Sequence, residues 1–137
     1  MGHIEIIKDN SEILAIVIRN KYSDEGIKFF TPDDFSQQLA YMNHKKGKKI
    51  IPHCHRSLKR EIHLTQEVLF LKKGKLQVDL YQDNHSYHST HILNAGDAIL
   101  LAGGGHGFEV LEDIEMIEVK QGPYAGDMDK THFEGKI

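Results

Sequence analysis

Residues 50–74 read IIPHCHRSLKREIHLTQEVLFLKKG. His53 and His55 stand two apart. On an extended strand, residues two apart share a face. The spacing therefore predicts a strand that aims both imidazoles at one point and turns Cys54 the other way. Imidazole is the commonest protein metal ligand near neutral pH. A carboxylate follows at Glu67, and residues 96–106, GDAILLAGGGH, bring His106 behind three glycines. Two or three His with one carboxylate is a metal-ligand composition.

The stretch continues into Val68, Leu69, Phe70 and Leu71, an apolar run of buried-strand type, closed by a turn at Lys72, Lys73, Gly74 and Lys75. Leu76, Val78 and Leu80 then alternate with Gln77, Asp79 and Tyr81, the pattern of a half-buried strand. Residues 83–86 read as a hairpin turn, residues 87–93 as its return strand and residues 94–97 as a further turn. Residues 98–101 are a buried strand, and the apolar positions from Phe108 to Val119 supply the last strands. Gly103, Gly104 and Gly105 predict a flexible bend that lets His106 reach a site. Upstream, residues 4–7 and 13–19 are rich in β-branched residues around Asp9, Asn10 and Ser11 and predict a hairpin. Residues 27–30 predict a short strand. Thr31 and Pro32 open a turn, with Thr31 as a helix-type cap. No stretch in residues 1–50 keeps an apolar period of 3.6, so no long helix is expected there. Strands every 8–12 residues with turn signals between them predict an all-β barrel or sandwich. Residues 121–137 are polar and broken by Gly122, Pro123 and Gly126, a tail expected to lie over the barrel.

Composition narrows the function classes. With 137 residues the chain fits one domain with a real core. A net charge of −3 gives no sign of a nucleic-acid partner. The longest apolar run, residues 13–18, is too short for a bilayer, and no membrane partner is expected. One cysteine rules out an internal disulfide. The first thirty residues lack a charged segment followed by an apolar run and a cleavage site, which predicts no secretory leader and a cytoplasmic protein.

Gly47, five residues, His53-x-His55, then Glu67, six residues and Gly74 resemble the first motif of the cupin superfamily. Gly96-Asp97, Gly104 and His106 resemble the second. The resemblance covers residues 47–110. It implies a double-stranded β-helix, the cupin jelly-roll barrel, with an N-terminal β-hairpin and a short irregular C-terminal tail. The single domain would span residues 1–137, with a core barrel at about residues 36–120. It further implies one divalent metal ion, zinc, iron, manganese or nickel, held by His53, His55, Glu67 and His106. A small-molecule ligand or substrate, polar and sugar-derived or an organic acid, would bind beside it. The implied enzyme classes are metal-dependent isomerase, epimerase or dioxygenase. A non-catalytic binding protein and a metal-free epimerase-like cupin stand as the alternatives. Cupins also pair through edge strands, which implies a homodimer, with the hairpin at residues 4–19 as the element to cross over.

The chain departs from the family pattern twice. Eleven residues separate His55 from Glu67, so Glu61 and His63 rival Glu67 as the third ligand. Ala102 stands where the second motif has a proline. Other readings are plainer. His85, His88 and His91 read as surface residues of a hairpin. The lysines at 45, 46, 48 and 49 read as a solvated turn, with a phosphate-binding rim as the sharper alternative. Tyr41, Tyr81, Tyr87 and Tyr124 are packing residues or, in the metal-free reading, acid–base groups.

Overall fold

The computed structural model describes residues 2–137. Eight strands form in chain order: β1 (Ile4–Asp9), β2 (Glu12–Ile18), β3 (Gly26–Phe29), β4 (Ala40–Asn43), β5 (Glu67–Tyr81), β6 (Tyr87–Asn94), β7 (Ala98–Leu101) and β8 (Gly105–Lys120). The main sheet runs β1-β2-β7-β5-β6, with β8 along the other side of β5. Every ladder is antiparallel. Among the described residues β3 and β4 pair only with each other. The chain is thus nearly all β, organised as a curled antiparallel half-barrel. No helix of the described residues is long and apolar enough to cross a membrane.

The expected hairpin at the N-terminus forms, with Asn10 in its turn at φ 55°. It is built into the sheet, because β2 pairs with β7 from Ala15 opposite Leu101 to Ile18 opposite Ala98. Leu14, Ala15, Ile16 and Val17 are all buried, so β2 is covered on both faces as an interior strand of the sheet. The main core joins Ile7, Leu14 and Val17 to Leu69, Leu71, Leu76, Val78 and Leu80 of β5, with Leu93, Ile99 and Leu101. Each such aliphatic side chain contributes about 1.5–3 kcal/mol on burial.

The basic turn expected at residues 72–75 does not break the strand. β5 runs through it for 15 residues, and the apolar segments after Gly105 likewise merge into one 16-residue strand, β8. The register between them slips three times, between Leu71 and Leu76. Slips of this kind are bulges, and bulges bend a strand without ending it. Gly74 lies at the bend with φ 90°, and a Cβ there would run into the Asp113 carbonyl. Only glycine meets both demands cheaply.

The bend has a large effect. Glu67 is thirteen residues before Leu80 on β5, about 43 Å away on a straight strand. His106 is the ladder partner of Leu80. Yet His106 Nε2 lies 3.0 Å from Glu67 Oε1. The β5–β8 ribbon therefore curls back on itself and brings its two ends together.

Gly96 and Asp97 turn the chain between β6 and β7. Asp97 is buried and accepts hydrogen bonds from the Asn94 and Asn20 backbone N–H groups and from Arg19 Nη1. Arg19 also grips Glu5 on β1 at 2.6 Å. The Gly-Asp pair thus ties β1, β2 and the β6–β7 corner together. Its role in this chain is structural.

The C-terminal tail lies over the sheet as expected. Phe133 meets Tyr81 edge-on at 5.2 Å and stacks flat on His85 at 4.1 Å. Thr31 makes no helix cap; its hydroxyl donates to Gln38 and accepts from Leu39 N.

Residues 44–66 overturn the reading of the opening stretch. No strand forms there, and every residue from 42 to 65 is exposed. His53 and His55 sit on irregular backbone and Cys54 is exposed, not turned into a barrel wall. A strand needs a ladder partner for its N–H and C=O groups. This segment has none, so its groups face water.

Candidate functional site

A cavity of about 660 Å³ opens where the two ends of the β5–β8 ribbon meet. The sheet supplies Glu67, His106, Phe108 and Lys120 to its wall. The segment entering β5 supplies His63, Leu64 and Thr65, and the hairpin after β5 supplies Gln82, Asp83 and His85. The tail closes one side with residues 128–133, fastened by the Thr65 hydroxyl donating to Asp129.

Glu67 opens β5, opposite Leu101 of β7 and Lys120 of β8. Side chains opposite one another on a ladder share a face. Glu67 is therefore buried beside Lys120, with Glu118 one inward-facing position further along β8. His106 holds the Glu67 carboxyl below the usual carboxylate range, against the opposing pull of burial. The neighbouring Glu67 carboxyl pushes Glu118 above that range, and partial desolvation adds to the effect. The two carboxyls are moved in opposite directions, so Glu67 is the more readily ionised of the pair and Glu118 the more readily protonated. His106, Glu67 and Lys120 stand together in the cavity wall, a base, a carboxylate and a cation able to meet a polar ligand and exchange a proton with it.

The flexible bend expected before His106 is in fact closely packed. Gly104 has φ 66° and lies against the Tyr81 carbonyl, and Gly105 lies under the Phe133 ring. His106 is placed by β8 rather than by a mobile loop.

The four expected metal ligands come together as two separate pairs. Glu67 and His106 meet in the cavity wall. The His53 and His55 rings meet edge-on, 5.4 Å between centres, on the exposed segment. Among the described residues no group of three His, Cys, Asp or Glu is arranged to hold a metal ion. Of the four expected ligands only Glu67 and His106 stand in the cavity wall. Of the rivals to Glu67, Glu61 is exposed and pairs at 3.5 Å with His63, whereas His63 reaches the cavity wall.

The remaining histidines of the hairpin behave as surface and structural groups. His88 bonds to the Lys8 carbonyl and to Ser89, and His91 bonds to Ser89. None of the four tyrosines weighed as acid–base groups stands on the cavity wall. Tyr81 is buried against Tyr87 and Phe133, Tyr41 packs on Tyr22, and Tyr124 is exposed. Sequence reasoning missed Glu118, Lys120 and the tail residues Asp129 and Phe133. Alternation along residues 116–120 would have placed Glu118 and Lys120 on one face; nothing local marks the tail. Set against protein-family models, curated proteins and solved structures, the chain matches none.

Proposed function

We propose that this chain is a cupin-type protein that binds, and acts on, a small polar molecule in the cavity beside Glu67 and His106. The observation that carries the reading is the Glu67–His106 pair, 3.0 Å apart and half enclosed by the curled ribbon. Cavities of this size with a few convergent polar groups are where small molecules bind.

In this reading Glu67 and His106 are two ligands of one divalent metal, and His53 and His55 are the others. Such an ion would polarise a ligand oxygen. A double-stranded β-helix requires the segment carrying His53 and His55 to lie beside the strand carrying His106. Two features favour that closure. Among the described residues β8 pairs only with β5 and leaves its other edge free over 16 residues. The segment exposes Ile50, Ile51, Leu58, Ile62 and Leu64 and has no ladder partner. A free edge invites a strand.

A second reading, a metal-free epimerase-like or ligand-binding cupin, is favoured by the direct Glu67–His106 hydrogen bond. The carboxylate orients the imidazole, as a general acid–base pair requires. Elemental analysis of the untagged protein separates the two. About one metal per chain, lost in a His53→Ala/His55→Ala variant and in His106→Ala, supports the metal centre. No metal, or the same amount in every variant, leaves the acid–base pair.

A further inference from the structure

Independently of the metal reading, we propose that the β3–β4 arm and the lysine turn behind it form a surface that docks on anionic lipid headgroups. The two strands pair from Gly26 opposite Asn43 to Phe29 opposite Ala40. An isolated two-stranded ribbon is marginal in water unless a face is covered. Alternation puts Lys28 and Tyr41 on one face, where Tyr41 packs edge-on against Tyr22 at 4.8 Å. The opposite face carries Ile27, Phe29 and Met42, which are 49%, 65% and 51% exposed. The loop joining the two strands is pinned, because Gln37 bonds to Gln66 and Gln121 at the ends of β5 and β8. With Tyr22 behind it, the arm turns its apolar face to water.

Charge selects what meets this face. Lys45, Lys46, Lys48 and Lys49 follow directly on β4, and Ile50 and Ile51 follow them, 55% and 83% exposed. Lys45, Lys46 and Lys48 line a cavity of about 420 Å³ at the Gly26–Asn43 end of the arm, where Glu25 is the only acid on the wall among the described residues. The adjacent acid, Asp24, pairs with Lys28 at 3.7 Å. Among the described residues the lysines in ion pairs are Lys28, Lys75 and Lys120, so the four of the turn keep their charge for a partner. Residues 35–60 hold seven Lys and Arg and no Asp or Glu in a chain of net charge −3, which leaves −10 on the remainder. An anionic surface attracts this end and repels the rest, which sets the orientation. About four to eight Lys and Arg beside exposed apolar side chains are what lies on anionic lipid. No apolar run in the chain is long enough to span a bilayer, so the contact is with its surface.

Other partners fit these residues less well. Residues 42–66 hold no Phe, Tyr or Trp, and base stacking needs aromatic rings. A second copy offers no uniformly acidic face, because Lys73 lies opposite Glu115 on the β5–β8 ribbon and Lys75 pairs with Glu112. The residues that carry the proposal end at Ile51, before His53, so this surface and the metal centre stand or fall separately.

Co-sedimentation of the full chain with lipid vesicles tests this. The protein should pellet with vesicles of phosphatidylserine and phosphatidylcholine in equal parts and stay in solution with phosphatidylcholine alone. Affinity should fall about tenfold or more from low to physiological salt. Lys45→Gln/Lys46→Gln/Lys48→Gln should weaken binding about a hundredfold. Phe29→Ser/Met42→Ser should weaken it about tenfold or more. Both variants should keep the wild-type circular dichroism melt. Absence of binding to either vesicle overturns the proposal, as does equal binding to both, or binding indifferent to either variant. A chain that ignores vesicles but binds a single-stranded oligonucleotide, and loses this in the lysine variant, also overturns it and assigns the turn to nucleic acid. A chain that ignores vesicles and forms a dimer lost in Phe29→Ser/Met42→Ser overturns it in favour of a second copy.

Discussion

Replacing Gly74 by alanine strikes the bend that brings Glu67 to His106. Gly74 has φ 90°, and its missing Cβ makes room for the Asp113 carbonyl on β8. A left-handed conformation costs a non-glycine residue about 1–2 kcal/mol. Overlap with backbone must be relieved by moving the ribbon, which adds about 1–3 kcal/mol by analogy with overpacking. Lower entropy of the unfolded chain returns about 0.4–1 kcal/mol. The net loss is about 2–4 kcal/mol. For a chain of this size that lowers Tm by about 8–15 °C. Thermal unfolding followed by circular dichroism reads it directly. Gly74→Asn separates the two causes, since Asn tolerates positive φ but still carries a Cβ. Overlap as the main cause requires both variants to be comparably destabilised. A Tm within about 2 °C of wild type for Gly74→Ala would refute the claim that this glycine sets the bend.

Four further outcomes follow from the geometry. Glu67 titrates below the usual carboxylate range, so it adds stability above that range and loses it as pH falls through its folded value; Glu67→Gln should flatten the acid limb of Tm against pH. Glu118 titrates above the range, so its contribution is present below the ordinary Glu value and fades as pH rises through the folded one. Glu118→Gln should therefore raise Tm near neutral pH, and an unchanged melt would remove the interaction between the two carboxyls. Asp97→Ala strips the carboxylate that accepts from Asn20 N, Asn94 N and Arg19, and should cost about 3–5 kcal/mol in urea unfolding. Phe133→Ala unfastens the tail from Tyr81 and His85; trypsin should then cut at Lys130 faster than in wild type, with the global melt nearly unchanged.

Alternation at Leu76, Val78 and Leu80, the aliphatic runs at residues 13–18 and 98–101, and the turn residues between them are local signals. Each needs only the period of a strand and the φ preferences of a turn, so sequence alone determined an all-β chain and its hairpins. The same logic misplaced His53 and His55. Their spacing describes what a strand would do, but a strand exists only where another strand supplies its hydrogen bonds, and residues 44–66 have no such partner. It also misread residues 72–75, where lysines and glycine signal a turn but β8 pairs across the gap and makes a bulge. Glu67 and His106 were legible as candidates by residue type and order. That they meet, and that Glu118, Lys120 and the tail join them, was decided by the curl of a single ribbon. Contacts between residues about forty positions apart depend on the summed bend and twist of everything between them, which no local pattern encodes.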